Sequence, residues 1–459
     1  MASIPTPLTA VEFASAVALL HQLIPEDDFR AYALDVSPAT VYTTLVTLWM
    51  LTLQRLGGGL SMTAIIKEVL TNNRQLLPDN KRVREGTLSE KSAAYSQARQ
   101  RLPMAVVREF SECVSRSLIE RSRPDHGRRL TFIMDGTTIT LSPTSPLRDA
   151  YPPAKNQLGE TVWPVMQLMV VHELQSGCAL IPELGAMYGP DNTSESRQAI
   201  AMSRRIPAGS LILADAGFGI FCVVHAMVQA AHVVLFRLTK SRFAALLRSA
   251  EPLERTARSA RYRLHWVPSR KDRQTNPDLP VDASLEVNVH EVELENGEPL
   301  YLVTTLDVSS SLAAEYYGHR YDVEHDIRDV KVTLGIENIR AKSDAMVQKE
   351  LLCSIVAYNL VVELRRAAAK IAKVPPRRLS FTSVWTTMQV YLLRQQPCSA
   401  AEWQARYERA LRSAANAKLP NRPGRSYPRR AHPRRPKSTK FLKQQIKYNS
   451  SKDPPKSTK

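Results

Sequence analysis

Apolar positions recur at helical spacing through Val41, Leu45, Leu48, Trp49 and Thr52, and Gly57-Gly58-Gly59 closes the run, which predicts a helix. Ser61 is placed to cap a second helix, MTAIIKEVL, because a serine oxygen can accept from the free amides of a first turn. SEKSAAYSQARQRL predicts a third, starting near Ser89 and stopping before Pro103, which can itself open the next helix. The texture changes at Arg129. LTFIMD and TTITL read as a pair of short strands, VWPVMQLMVVHEL as a further strand region, and CALIPEL as a candidate addition to it. SESRQAIAMSRRI is helical, SLILAD a short buried strand, GIFCVVHAMVQAA a helix and HVVLFRL a strand. That order predicts an α/β domain around a largely buried sheet. Across about 240–306, YRLHWVP, SLEVNVHEVEL and LYLVTTL alternate apolar and polar residues, which predicts a β-rich insertion enclosing the polar loop SRKDRQTNPDLP. Helical pattern returns at Ser310, breaks near Gly335 and runs to about Lys370.

Composition changes this picture mainly through charge. The 459 residues carry a net charge of +18, which favours a polyanionic partner. Between Lys418 and Lys459 there are 14 Lys and Arg against one acid. That proline-rich segment has too few large apolar residues to offset its ordering entropy, so it is expected to be a disordered polycation that binds nucleic acid without sequence preference. Lys81 to Arg129 holds 12 basic and six acidic residues. Lys91, Tyr95 and Arg99 there share one helical face, suited to a DNA-reading module or to an ordinary solvated surface. Five scattered cysteines with no Cys-x-x-Cys argue against a zinc ribbon and a secreted disulfide scaffold. The uncharged stretch Val36 to Gln54 contains five threonines and reads as a buried helix, so no membrane is expected as a partner. The expectation is a soluble, basic protein of the cytoplasm.

Two carboxylates stand at the ends of apolar strands: Asp135 closes LTFIMD and Asp215 closes SLILAD. Gly136 follows the first and Ala216-Gly217 the second, leaving both ends open. In an open α/β sheet ligands collect outside the carboxyl ends of strands. Two such acids on neighbouring strands would offer hard oxygen ligands to a divalent cation such as Mg2+. A helix over Ala313–Leu334 supplies further groups. Tyr317, Arg320, Arg328 and Lys331 lie within about 40° of Glu324 on a helical projection. An apolar stripe of Leu312, Tyr316, Val323, Ile327, Val330 and Leu334 would seat the helix.

This arrangement resembles the DDE transposases of the insertion-sequence-four family. Tyr317-x2-Arg320-x3-Glu324-x6-Lys331 has the spacing of that family's signature helix. MDGTT and DAYPP are similar to its first-Asp segment, and LADAGF to its second. LGIENIRAKSDAMVQKELLCSIVAYNLV resembles its C-terminal helix region, and LVTLWMLTLQRL with AAYSQARQRLP its N-terminal domain. The family often has Arg after the second Asp, where this chain has Ala216.

The resemblance implies a ribonuclease-H-like core, a mixed sheet with flanking helices, over residues 126–370. Its β-strand insertion falls at about 240–306. A helical DNA-binding domain (1–125) would precede the core, and a C-terminal helical region (371–417) and the basic tail (418–459) would follow. It implies that Asp135, Asp215 and Glu324 hold two Mg2+ ions, with Mn2+ as a substitute. Tyr317, Arg320, Lys331 and Arg328 would contact DNA, and Trp266 would stack on a base flipped out at the transposon end. The implied activity is cut-and-paste transposition, in which a homodimer binds terminal inverted repeats, cleaves the ends and joins them to target DNA. Two rivals stay open at this level: a catalytically inactive or domesticated derivative acting as a regulator, and a ribonuclease-H-like nuclease without strand transfer.

Overall fold

The computed structural model describes residues 37, 39–123, 129–157, 159–393 and 399–420. The first 36 residues and all of the basic tail beyond Pro420 lie outside them.

The sheet is built around β1 (Thr131–Thr140), a ten-residue strand rich in β-branched residues. LTFIMD and TTITL are therefore one strand and not two, because Gly136-Thr137 continues extended where a turn would be needed. On one side β1 pairs antiparallel with β2 (Val165–Glu173), from Phe132↔Glu173 to Thr140↔Val165, and β2 pairs with β3 (Glu183–Ala186). On its other side β1 pairs parallel with β4 (Leu211–Ala214), whose four residues are all buried, and β4 with β5 (Val233–Arg237). The resulting order β3-β2-β1-β4-β5 is a mixed sheet, with α5 (Glu195–Ser203) and α6 (Phe221–Gln229) as crossovers between its parallel strands. Parallel strands need such crossovers, which cover a sheet face.

The inserted strands β6 (Glu251–Arg255), β7 (Ser259–Trp266), β8 (Leu285–Glu293) and β9 (Pro299–Thr304) do not form a separate sheet. β9 pairs antiparallel with β5, so the order continues β9-β8-β7-β6 and makes a single nine-stranded sheet, beside a separate two-stranded ribbon of Lys155–Asn156 and Gly159–Glu160. The polar loop between β7 and β8 contains a short helix, Arg270–Thr275, closed by a capping box from Ser269 and Asp272.

Helices α1 (Thr44–Leu56), α2 (Met62–Asn72), α3 (Ala93–Arg101) and α4 (Met104–Arg121) precede the sheet. Thr43 caps α1 and Ser61 caps α2 through their hydroxyls, and Gly58 and Gly59 take positive φ beyond the end of α1. The Lys91-Tyr95-Arg99 face is not a reading surface. Lys91 precedes α3, Tyr95 is fully buried with its hydroxyl donating to Gln54, and Arg99 pairs with Glu350. After β9 come α7 (Ser310–Gly318), α8 (Asp322–Arg328) and the 29-residue α9 (Asp344–Ala372). By length and composition α9 could cross a membrane, but 83% of its most apolar window is buried. It is a core helix, packed by α1, α4, α10 (Phe381–Met388) and α11 (Ala400–Ala415).

His290 on β8 shows how the insertion is tied to α7. Its side chain is completely buried, with Nδ1 3.0 Å from the Ser310 hydroxyl at the start of α7. Burial, reinforced by Arg261, pushes its pKa down to about 4. The unfolded chain therefore binds a proton that the folded chain refuses between about pH 6.5 and 4. That contribution to stability is complete above 6.5 and is lost as pH falls. Urea unfolding at pH 7 and 4.5 should show the wild type losing roughly 2 kcal/mol more than His290→Gln.

Candidate active site

The register of β1 and β4 fixes the first two acids. Their parallel pairing ends at Met134↔Ala214, so Asp135 and Asp215 are the next residues on adjacent strands. Asp135 is not at the end of its own strand. It lies mid-β1, opposite Val170 of β2, at the point where β4 stops and one flank opens. The Asp135 carboxylate accepts from the Gly136 amide at 2.8 Å, and Asp215 accepts from the Gly217 amide at 2.7 Å. Burial, with the charge of Asp215 beside it, pushes Asp135 up to about 6, against the pull of the Gly136 amide and Arg320.

Arg320 provides the compensation. Its guanidinium lies 3.5 Å from Asp135 Oδ2 and 3.4 Å from Glu324 Oε1, so one cation bridges the first and third acids. The residue itself is only 8% exposed. The segment 310–333 is not one helix: α7 ends at Gly318, a 3-10 turn spans His319–Tyr321, α8 follows, and a π-turn covers Asp329–Thr333. Tyr317 and Arg320 lie on the buried side with Ala313 and Val323, whereas Tyr316 from the expected apolar stripe is 40% exposed. Burial raises the Tyr317 phenol above its ordinary range, with Arg320, Arg237 and Asp215 among the charges it feels.

The remaining residues divide. Lys331 folds back onto β1, donating to the Thr138 carbonyl at 2.8 Å and the Thr137 hydroxyl at 3.3 Å, and it pairs with Glu337. The Arg328 side chain is 61% exposed beside Asp329, and nothing draws it to the acids. Trp266 is 9% exposed and packs edge-on against Phe221, 5.5 Å between centroids. It lines a cleft of about 800 Å³ together with Arg197, Arg242 and Lys271. The position after Asp215 lacks an arginine of its own, yet the Arg242 guanidinium donates to the Ala216 carbonyl from a different helix.

Two groups escape the sequence reading. The first is Glu195, in the opening turn of α5. A Cβ at Gly136 would collide with its carboxylate, and its charge also raises Asp135. Glycine at 136 thus lets a fourth acid reach the backbone beside Asp135. The second is Asp326, two residues after Glu324 and 1% exposed. Arg377 grips it with both terminal nitrogens, at 2.8 and 2.7 Å, and the Tyr358 hydroxyl and His172 stand close by. The buried face of α8, the helix that carries Glu324, is thereby anchored to a residue beyond α9.

Among the described residues, no three His, Cys, Asp or Glu side chains stand together closely enough to hold a metal ion. The donor set nevertheless fits one. Asp135 and Asp215 are adjacent carboxylates whose mutual repulsion a hard cation would relieve, and Arg320 joins Asp135 to Glu324. A family model described as the transposase DDE domain matches residues 126–360, the span from β1 into α9. The chain belongs to this family. Membership carries a transposase function with DNA as partner, and DDE transposases generally use divalent metal ions. A search of curated proteins finds no match.

The Asp326–Arg377 pair, which joins this DDE domain to the segment after α9, tests how the Glu324 helix is held. Removing one partner of a buried pair leaves the other charge uncompensated, at a cost of about 3–5 kcal/mol. Asp326→Ala should lose that much in urea unfolding, and Asp326→Leu with Arg377→Met should recover most of it.

Proposed function

We propose that the protein is a transposase of the insertion-sequence-four type that cleaves the ends of its element and joins them to target DNA by a cut-and-paste route. The observation that carries this reading is the register-enforced pairing of Asp135 with Asp215, joined through Arg320 to Glu324, inside a DDE family domain. Asp135 and Asp215 would hold divalent cations, two Mg2+ ions or Mn2+ in their place, with Glu324 as the third ligand. Such ions acidify an attacking water or 3′-hydroxyl and neutralise charge at the leaving oxygen.

The chain's own residues supply the rest. Arg320 neutralises the acids in the unbound protein, and its fork of donors is also suited to a phosphate. Lys331 is positioned as a point charge against β1, and the Tyr317 phenol lines the same side. Trp266 would receive an unstacked base in the cleft it shares with Arg197 and Arg242. The partners in this reading are terminal inverted repeats and target DNA, engaged by a homodimer.

Replacing Asp135, Asp215 or Glu324 with Ala should abolish end cleavage and strand transfer, by at least about 10³-fold given what charge stabilisation supplies at such centres. Binding to end DNA should persist. The check is a cleavage and joining assay on labelled ends, run beside a binding assay. Joining of precut ends by the wild type would separate a transposase from a nuclease without strand transfer, and excision activity would separate it from an inactive regulator.

A further inference from the structure

A second polar cleft, about 710 Å³, lies between the N-terminal helices and the start of α9. Its charge does not balance. Arg55 and Arg99 are each 7% exposed, and both pair with the single carboxylate of Glu350. Lys349, 4% exposed, spends its ammonium on the carbonyls of Arg99 and Gln100 at the end of α3. Three cations are therefore buried around one acid. Burial and repulsion from Arg99 both pull the Arg55 pKa down, against the pull of Glu350. Arg99 lines the cleft, and its Nε has no hydrogen-bond partner among the described residues. Buried charges persist where an opposite charge meets them, and Glu350 is the one acid among the described residues lining this cleft.

The mouth adds more of the same sign. Arg340 and Lys342 line it and are exposed. The N-terminal end of the 11-residue α2, at Ser61, faces the same space. A helix start presents amides and the positive end of its dipole, which favours an anion.

We infer that this cleft binds a backbone phosphate of duplex DNA, with Arg99 and Arg55 at its floor and Arg340 and Lys342 at its rim. The site lies outside the acid cluster, on the seam between the helices that precede the sheet and those that follow it. A bound duplex would thus contact both at once. The inference rests on DNA being the partner, and not on the assignment of Asp135, Asp215 or Glu324. It is therefore tested without metal, where cleavage is silent.

The experiment is anisotropy of a short labelled duplex with the full chain in EDTA, over a range of salt concentrations. Each phosphate contact contributes about 0.9 to the slope of log K against log salt. Arg340→Ala with Lys342→Ala, both at the surface, should lower that slope by about one or more while the thermal midpoint holds. Glu350→Gln should tighten binding several-fold, because it frees two guanidinium groups for the phosphate; a merely structural ion pair would give no such gain. An unchanged slope in the folded double variant overturns the proposal, as does weaker binding by folded Glu350→Gln. Inorganic phosphate that stabilises the fold at matched ionic strength, with the DNA slope unchanged by the double variant, would assign the cleft to a small anion and equally overturn it.

Discussion

The site depends on keeping two like charges side by side. Parallel strands β1 and β4 stop pairing one residue before Asp135 and Asp215, so the sheet sets these two acids next to each other. Burial and the neighbouring charge raise Asp135 toward neutrality, and the Arg320 guanidinium offsets part of that cost while joining Glu324 to the pair. In the proposed reading an external cation takes over at these acids the role that Arg320 plays in the unbound protein. This is the physical content of the donor set, and it makes Arg320 as much a part of the site as the acids.

The third acid needs a different kind of support. Glu324 stands on a helix of seven residues bounded by a 3-10 turn and a π-turn, too short to be stable by itself. The buried Asp326–Arg377 pair ties that helix to the segment after α9, with Tyr358 and His172 lining the same pocket. Arg377 lies beyond the matched span of residues 126–360. The C-terminal helices therefore contribute to the geometry of the acids without touching them. A polar pair in such a place holds an orientation that an apolar contact would leave looser.

Much of this was legible from residue pattern. The sequence alternates strands and helices from Arg129 onward, and the acids at the ends of LTFIMD and SLILAD fall where the parallel ladder stops. Capping at Ser61 and the glycines after Leu56 follow from local chemistry alone. What pattern cannot carry is long-range placement. An acid in the first turn of α5 reads as an ordinary helix-start residue, and only the packing of α5 across β2 and β3 brings Glu195 beside Gly136 and Asp135. Asp326 and Arg377 are 51 residues apart, and nothing in either neighbourhood names the other. A helical projection groups Ala313, Tyr317 and Arg320 on one face but does not say which face packs on the sheet, so a side rich in polar groups reads as open when it is buried.

The central claim is that Asp135 and Asp215 form the seat of a divalent cation. Isothermal titration of Mn2+ into the full chain, alone and with end DNA, tests it most directly. The account predicts saturable binding that weakens at least tenfold, or about 1.4 kcal/mol, when both aspartates are changed to Asn in a protein that remains folded. Equal Mn2+ affinity in that double variant would contradict it.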